Sequence, residues 1–138
     1  MYATQSDLET HFGLDELVEL TDRATPPAGV VDVEVLAHAL SAAANEIDGY
    51  ISMVYRRPLA MVPARLVDLA CDIARYHLYT HAAPDLVVER YKAAIAFLRL
   101  VAAGEASLGI PPKTDESGLG GLAEISTGRR LFARGDRR

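Results

Sequence analysis

Four groups of residues have types and spacings that suit chemistry. His77 and His81 stand four apart in D-I-A-R-Y-H-L-Y-T-H, the helical spacing at which two imidazoles can share a metal ion. A zinc hydrolase of that pattern needs a glutamate directly after the first histidine, but Leu78 stands there, and no third ligand lies nearby in sequence. The pair is read instead as histidines at a helix C-terminus, where a cation meets the negative end of the dipole. Asp68 and Asp72 also share a helix face, with Arg75 three residues beyond Asp72. Paired carboxylates can carry acid–base work. A surface ion pair with Arg75, or with Arg56 or Arg57 across a corner, is the commoner use of such a pattern. Cys71 is the single cysteine, so there is neither a disulfide framework nor a multi-cysteine zinc site. It sits beside an inward-facing helix stripe and has no cationic neighbour fixed by the sequence, so it reads as a buried structural thiol rather than a nucleophile.

The fourth group is the terminal run G-R-R-L-F-A-R-G-D-R-R. From Ile125 onward five arginines stand against Asp136, a net +4; the chain as a whole is −5, which leaves −9 on the first 124 residues. A body and tail of opposite sign prefer different partners. The tail has three readings: phosphate contacts on a nucleic acid, docking on a protein with Leu131 and Phe132 as apolar anchors, or a plain solubilising terminus. The apolar pair favours the protein partner, which makes Arg129, Arg130, Leu131, Phe132 and Arg134 the candidate binding residues. No P-loop, dinucleotide fingerprint, nucleophile elbow or cysteine–histidine cluster is present. No enzyme activity, cofactor or metal is expected.

The elements that carry these residues follow from hydrophobic period and capping. With 138 residues, half of them apolar, the chain supports one core of ordinary size. No basic segment followed by an apolar run opens it, and no stretch approaches the ~20 apolar residues of a membrane span. A cytosolic origin without a membrane anchor is expected. Thr4 and Asp7 suggest a capping box opening a short helix to Phe12, and Gly13 stops it. A second short helix covers Leu14–Asp22, with Leu14, Leu17, Val18 and Leu20 inward. After a proline loop, Asp32 should cap a long helix reaching Tyr55, with Leu36, Leu40, Ala43, Ile47, Tyr50 and Val54 inward. Gly49 within it suggests a close crossing by another backbone. Pro58 and Pro63 bracket a corner. The next helix runs to Thr80, with Leu66, Leu69, Ile73 and Tyr76 inward. The last runs from Pro84 to Ala103 on Val88, Tyr91, Ile95, Leu98 and Ala102, with Gly104 as its C′ glycine. The expected fold is therefore all-α: an antiparallel bundle of three long helices plus two short N-terminal ones. Residues 1–104 form the helical domain, and residues 105–138 form an extended C-terminal arm in which 122–132 could make a short β-hairpin.

Several stretches together resemble one family. They are the opening Met1-Tyr2-Ala3-Thr4, E-I-D-G-Y around Ile47, Tyr55 with Pro58-Leu59 and Val62-Pro63, and D-I-A-R-Y-x-L-Y from Asp72 to Tyr79. R-Y-K-A-A-I-x-F-L and I-S-T-G-R-R-L-F-A-R extend the likeness almost to the end. Their order and spacing are similar to those of the small structural protein of Mu-like phages and prophages. The resemblance implies a head–tail connector, or adaptor: a helical subunit of a ring, usually of twelve copies, beneath the portal protein. Such a ring extends the DNA channel without sequence-specific binding and offers a surface to a stopper or tail-completion protein. The implied location is the virion, with assembly in the bacterial cytoplasm. A small acidic regulator, or a nucleic-acid-binding protein using the basic tail, is the alternative reading of the same residues.

Overall fold

The computed structural model describes residues 1–114, and the C-terminal hairpin and the tail sites proposed above lie outside them. The described chain is all-α: α1 (Gln5–Phe12), α2 (Leu14–Thr21), α3 (Val33–Ile51), α4 (Ala64–Leu78) and α5 (Asp85–Ala102). The three long helices run up, down and up. Tyr76 of α4 faces Tyr91 of α5, and Arg65 at the other end of α4 faces Phe97.

The caps explain the helix boundaries. The Thr4 hydroxyl accepts from Asp7 N–H at 3.3 Å and the Asp7 carboxylate accepts from Thr4 N–H at 2.8 Å, the reciprocal capping box. Asp32 Oδ1 accepts from the N–H groups of Glu34 and Val35 to open α3. Gly104 closes α5 at φ +80°. Its N–H bonds Val101 O while Glu105 N–H bonds Leu100 O, a Schellman motif that satisfies two of the end carbonyls.

Several expectations need correction. α3 ends at Ile51 and not Tyr55, because the N–H groups of Val54 and Tyr55 both turn to Ile51 O and close the helix in a tight turn. The core side chains at that end are Ile51 and Tyr55, while Tyr50 and Val54 are half-buried against them. α4 stops at Leu78, two residues early, as Tyr79 turns to an extended conformation ahead of Pro84. On α5 the buried stripe is Val87, Ala94, Ile95, Leu98 and Val101; Val88, Tyr91 and Ala102 flank it. Tyr91 is the reason, since its hydroxyl reaches a carboxylate at the edge and cannot lie at the centre. Leu14 is 52 % exposed: it is the first residue of α2, where Leu17 and Thr21 are buried and Leu20 packs partly buried against the core. Gly49 faces open space with nothing within 4 Å of a built Cβ, so no backbone crosses it.

The core runs the length of the bundle through Leu8, Leu17, Leu36, Ile47, Leu66, Ile73 and Leu98. Among the described residues, Thr21 is the buried polar one. Its hydroxyl donates to Leu17 O at 2.7 Å and accepts from Asp32 N–H at 3.0 Å, joining the end of α2 to the start of α3. Beyond Gly104 the chain does not leave the bundle at once. Leu108 is buried and its N–H donates to the Tyr55 hydroxyl at 3.0 Å. Lys113 N–H donates to Val54 O at 2.9 Å. Residues 105–114 thus lie against the corner that joins α3 to α4.

Candidate functional site

The residues singled out for chemistry are dispersed among the helices as ties. Glu46 and Asp48 of the E-I-D-G-Y stretch are two apart on α3 and so point to different sides of it. Glu46 Oε2 accepts from the Tyr91 hydroxyl at 2.5 Å, and Oε1 lies 2.9 Å from His77 Nε2. One carboxylate therefore joins α3 to both α4 and α5. Tyr91 stacks on Tyr76 with ring centroids 4.0 Å apart and planes 11° from parallel. Burial and the neighbouring Glu46 carboxylate push the Tyr91 phenol well above its ordinary range. Asp48 accepts from the Tyr2 hydroxyl and pairs with Arg57 at 2.9 Å, which ties the N-terminus and the corner to α3. Burial first, then Asp48, raises the Tyr2 phenol likewise. Ile47, between the two carboxylates, is fully buried.

The D-I-A-R-Y stretch does the same for α4. Arg75 does not pair with Asp72. Its guanidinium makes a forked contact with Glu16 of α2, Nε to Oε2 at 2.6 Å and Nη2 to Oε1 at 3.0 Å, and lies 4.3 Å over the Phe12 ring. Asp72 instead meets Arg90 of α5 at 3.5 Å, and burial raises its carboxyl despite that cation. Asp68 meets His11 of α1 at 3.3 Å. The ion pairs expected along α4 and to the corner are replaced by pairs to α1, α2 and α5. A helix packed on three sides brings long side chains of its neighbours closer than its own next turn.

Cys71 is buried, and burial, followed by the charges of Asp7, Asp72 and Asp68, pushes its thiol up to about 12. A thiol so placed is a poor nucleophile. His81 is exposed past the end of α4, apart from the His77–Glu46 pair. Among the described residues no group of three His, Cys, Asp or Glu is arranged to hold a metal ion, and no helix is long and apolar enough to cross a membrane.

An accessible surface lies at the corner, residues 52–63, with the 105–114 segment laid against it. Met53, Met61 and Val62 are exposed there, Met61 at 66 %. Between the two segments lies a groove of about 380 Å³ lined by Tyr55, Leu59, Met61, Ile110, Pro111 and Pro112 among others, with Arg56 and Lys113 also on its walls. A second hollow of about 430 Å³ sits on the other side of Pro58, formed by Met1, Tyr2, Asp48, Arg57, Leu59 and Val62. The sequence marks Tyr55, Arg56, Arg57, Pro58, Leu59 and Val62 as parts of a corner, but not as walls of a groove. Ile110-Pro111-Pro112 has no helical period, and only its closeness to Met61 makes it a surface.

The sequence model of the family described as "Bacteriophage Mu, Gp36" matches residues 2–124. The chain belongs to that Mu Gp36 family. It is similar to the Mu-like prophage FluMu protein gp36 of Haemophilus influenzae, 35 % identical over 126 residues that cover 90 % of this chain and 88 % of that one. It is also similar to gene product J of Escherichia phage Mu, 28 % identical over 134 residues, covering 96 % and 94 % respectively. Neither relative carries an enzymatic name. The ties of Glu46, Asp48 and Arg75 give a physical role to the stretches that carry the resemblance: they lock five helices into one body.

Proposed function

We propose that this Mu Gp36-family protein is a structural head–tail connector, or adaptor, of a tailed phage or prophage. It forms a ring, twelvefold in our reading, beneath the portal protein, extends the DNA channel and presents the attachment surface for a stopper or tail-completion protein. Membership of a Mu phage family along residues 2–124 carries this reading. The cross-tied bundle supports it, because a ring subunit must keep its lateral faces fixed while neighbours assemble on them. The net −9 before Ile125 supports it as well, since a channel wall of that sign does not retain passing DNA through phosphate contacts. The protein resides in the virion at the head–tail interface after assembly in the host cytoplasm.

In this reading Arg129, Arg130, Leu131, Phe132 and Arg134 dock on the portal or on a neighbouring subunit. The test is co-purification of the full chain with its portal, with and without the triple change Arg129→Glu, Arg130→Glu and Arg134→Glu. The variant should keep its helical content and lose portal attachment. Full attachment by the variant contradicts the assigned docking residues. A steeply salt-dependent affinity of the unaltered protein for DNA, lost in the same variant, supports the nucleic-acid reading in its place.

A further inference from the structure

Helix α5 carries two apolar faces. One is the buried stripe of Val87, Ala94, Ile95, Leu98 and Val101, by which it packs on α3 and α4. The other is made by Leu86, Ala93, Ala96, Leu100 and Ala103, which step along the sequence by seven, three, four and three and so share the opposite side of the helix. These residues are exposed, Leu86 at 58 % and Leu100 at 44 %. A helix on the surface of a bundle needs one apolar stripe and ordinarily turns charged and polar groups to water on the other side. Here the alanines leave the middle of the helix open to close approach, and a leucine stands near each end.

The charges beside this outer stripe are sorted along the helix. Asp85 and Glu89 lie in its first turns, and Lys92 and Arg99 lie beyond them. All are exposed, and among the described residues no ion pair engages any of them. A parallel match of two such faces sets each charge against its own copy, which is repulsive. An antiparallel match centred on Ala93 sets Leu86, seven residues before it, against Leu100 of the second copy, seven residues after it. Arg99 then falls opposite Val87 of the second copy, between Asp85 and Glu89. Lys92 lies beside the axis, where its long stem carries the ammonium out to water.

We propose that two copies of the free protein pair antiparallel through this outer face of α5, Leu86 of each against Leu100 of the other and Arg99 of each against Asp85 and Glu89. The occupant is a second copy because the face complements itself in apolar pattern and in charge, as a twofold contact requires. At 1.5 Å per residue Asp85–Ala102 is about 27 Å long, and a strip about 10 Å wide on each copy buries roughly 500–600 Å² in all. That is below the roughly 1,200 Å² of stable complexes, so the pair is weak, populated at roughly 0.1–1 mM protein and dissociated at about 5 µM. The proposal concerns the free protein and does not rest on the connector reading.

The test is disulfide trapping between full chains that carry one added cysteine each, Leu86→Cys in one variant and Leu100→Cys, with a mass tag, in the other. Both positions are exposed, so the core is untouched, and Cys71 is buried and does not compete. In a glutathione redox buffer at about 0.5 mM protein, an equal mixture should give the mixed disulfide dimer in roughly tenfold excess over either homodimer. At about 5 µM the excess should fall to the statistical twofold. Arg99→Glu placed in both variants should reduce the excess severalfold at the higher concentration. Homodimers equal to or above the mixed dimer would reveal a parallel or unrelated contact and overturn the proposal. A statistical mixture at both concentrations, as when the chain's own tail or nothing covers the face, would overturn it too. So would indifference of the excess to Arg99→Glu.

Discussion

Replacing Glu46 tests whether the E-I-D-G-Y stretch is a structural tie. Glu46→Ala removes the acceptor of a 2.5 Å bond from Tyr91 and the 2.9 Å partner of His77. A hydrogen bond to a charged group contributes about 1.5–3 kcal/mol. The Glu46 and His77 side chains remain 26 % and 31 % exposed, so their contact belongs near the small values of surface pairs, below about 1 kcal/mol. The expected loss is therefore about 2 kcal/mol, most of it through Tyr91. Tyr91→Phe keeps the stack on Tyr76 and removes only the hydroxyl, which should cost about 1–1.5 kcal/mol. The double variant should lose little more than Glu46→Ala alone, leaving a coupling of about 1 kcal/mol. Urea denaturation followed by circular dichroism measures all three, and the melting temperature of Glu46→Ala should fall by about 8 °C at roughly 4 °C per kcal/mol. Strict additivity of the two single changes, with a coupling below about 0.3 kcal/mol, would refute the tie.

Three further outcomes are expected. Asp72→Asn should leave stability within about 0.5 kcal/mol or raise it, because burial of the carboxylate opposes its 3.5 Å contact with Arg90; a loss above about 1 kcal/mol in denaturant titration contradicts this. The Cys71 thiol should resist a disulfide reagent at pH 8 while the protein is folded and react once it is unfolded, since burial pushes it up to about 12. Its folded pKa lies above the unfolded value of about 8.5, so its contribution is intact below that pH and falls as pH climbs toward the folded value. The raised phenols of Tyr2 and Tyr91 act in the same direction at still higher pH, so stability should decline through mild alkali. Tyr55→Phe should cost about 1–2 kcal/mol, because it leaves the buried Leu108 N–H without its acceptor; hydrogen exchange at Leu108 should quicken markedly.

The helices were largely legible because each carries its own local signal. Thr4 with Asp7, Asp32 and Gly104 are caps whose chemistry acts over three or four residues, and all three operate as the sequence indicates. The stripe on α3 could be read as far as Ile47 and failed beyond it, because Tyr55 packs inward from a turn and not from a continuing helix. On α5 the period alone could not tell that Tyr91 would be drawn to the edge by Glu46, forty-five residues earlier. The same limit hid the partners of Arg75 and Asp72. Along a helix, i and i+3 neighbours are visible in sequence, whereas Glu16 and Arg90 become neighbours only when α2 and α5 pack on α4. The corner groove was not legible at all, because it is made by two irregular segments about fifty residues apart.

The connector reading rests most directly on what this protein becomes when its portal is present. Native mass spectrometry or light scattering of the full chain, alone and mixed with its portal, measures it. The account predicts a small species alone and a ring of about twelve copies bound to the portal. A stable dimer of unchanged mass in the presence of portal would contradict it.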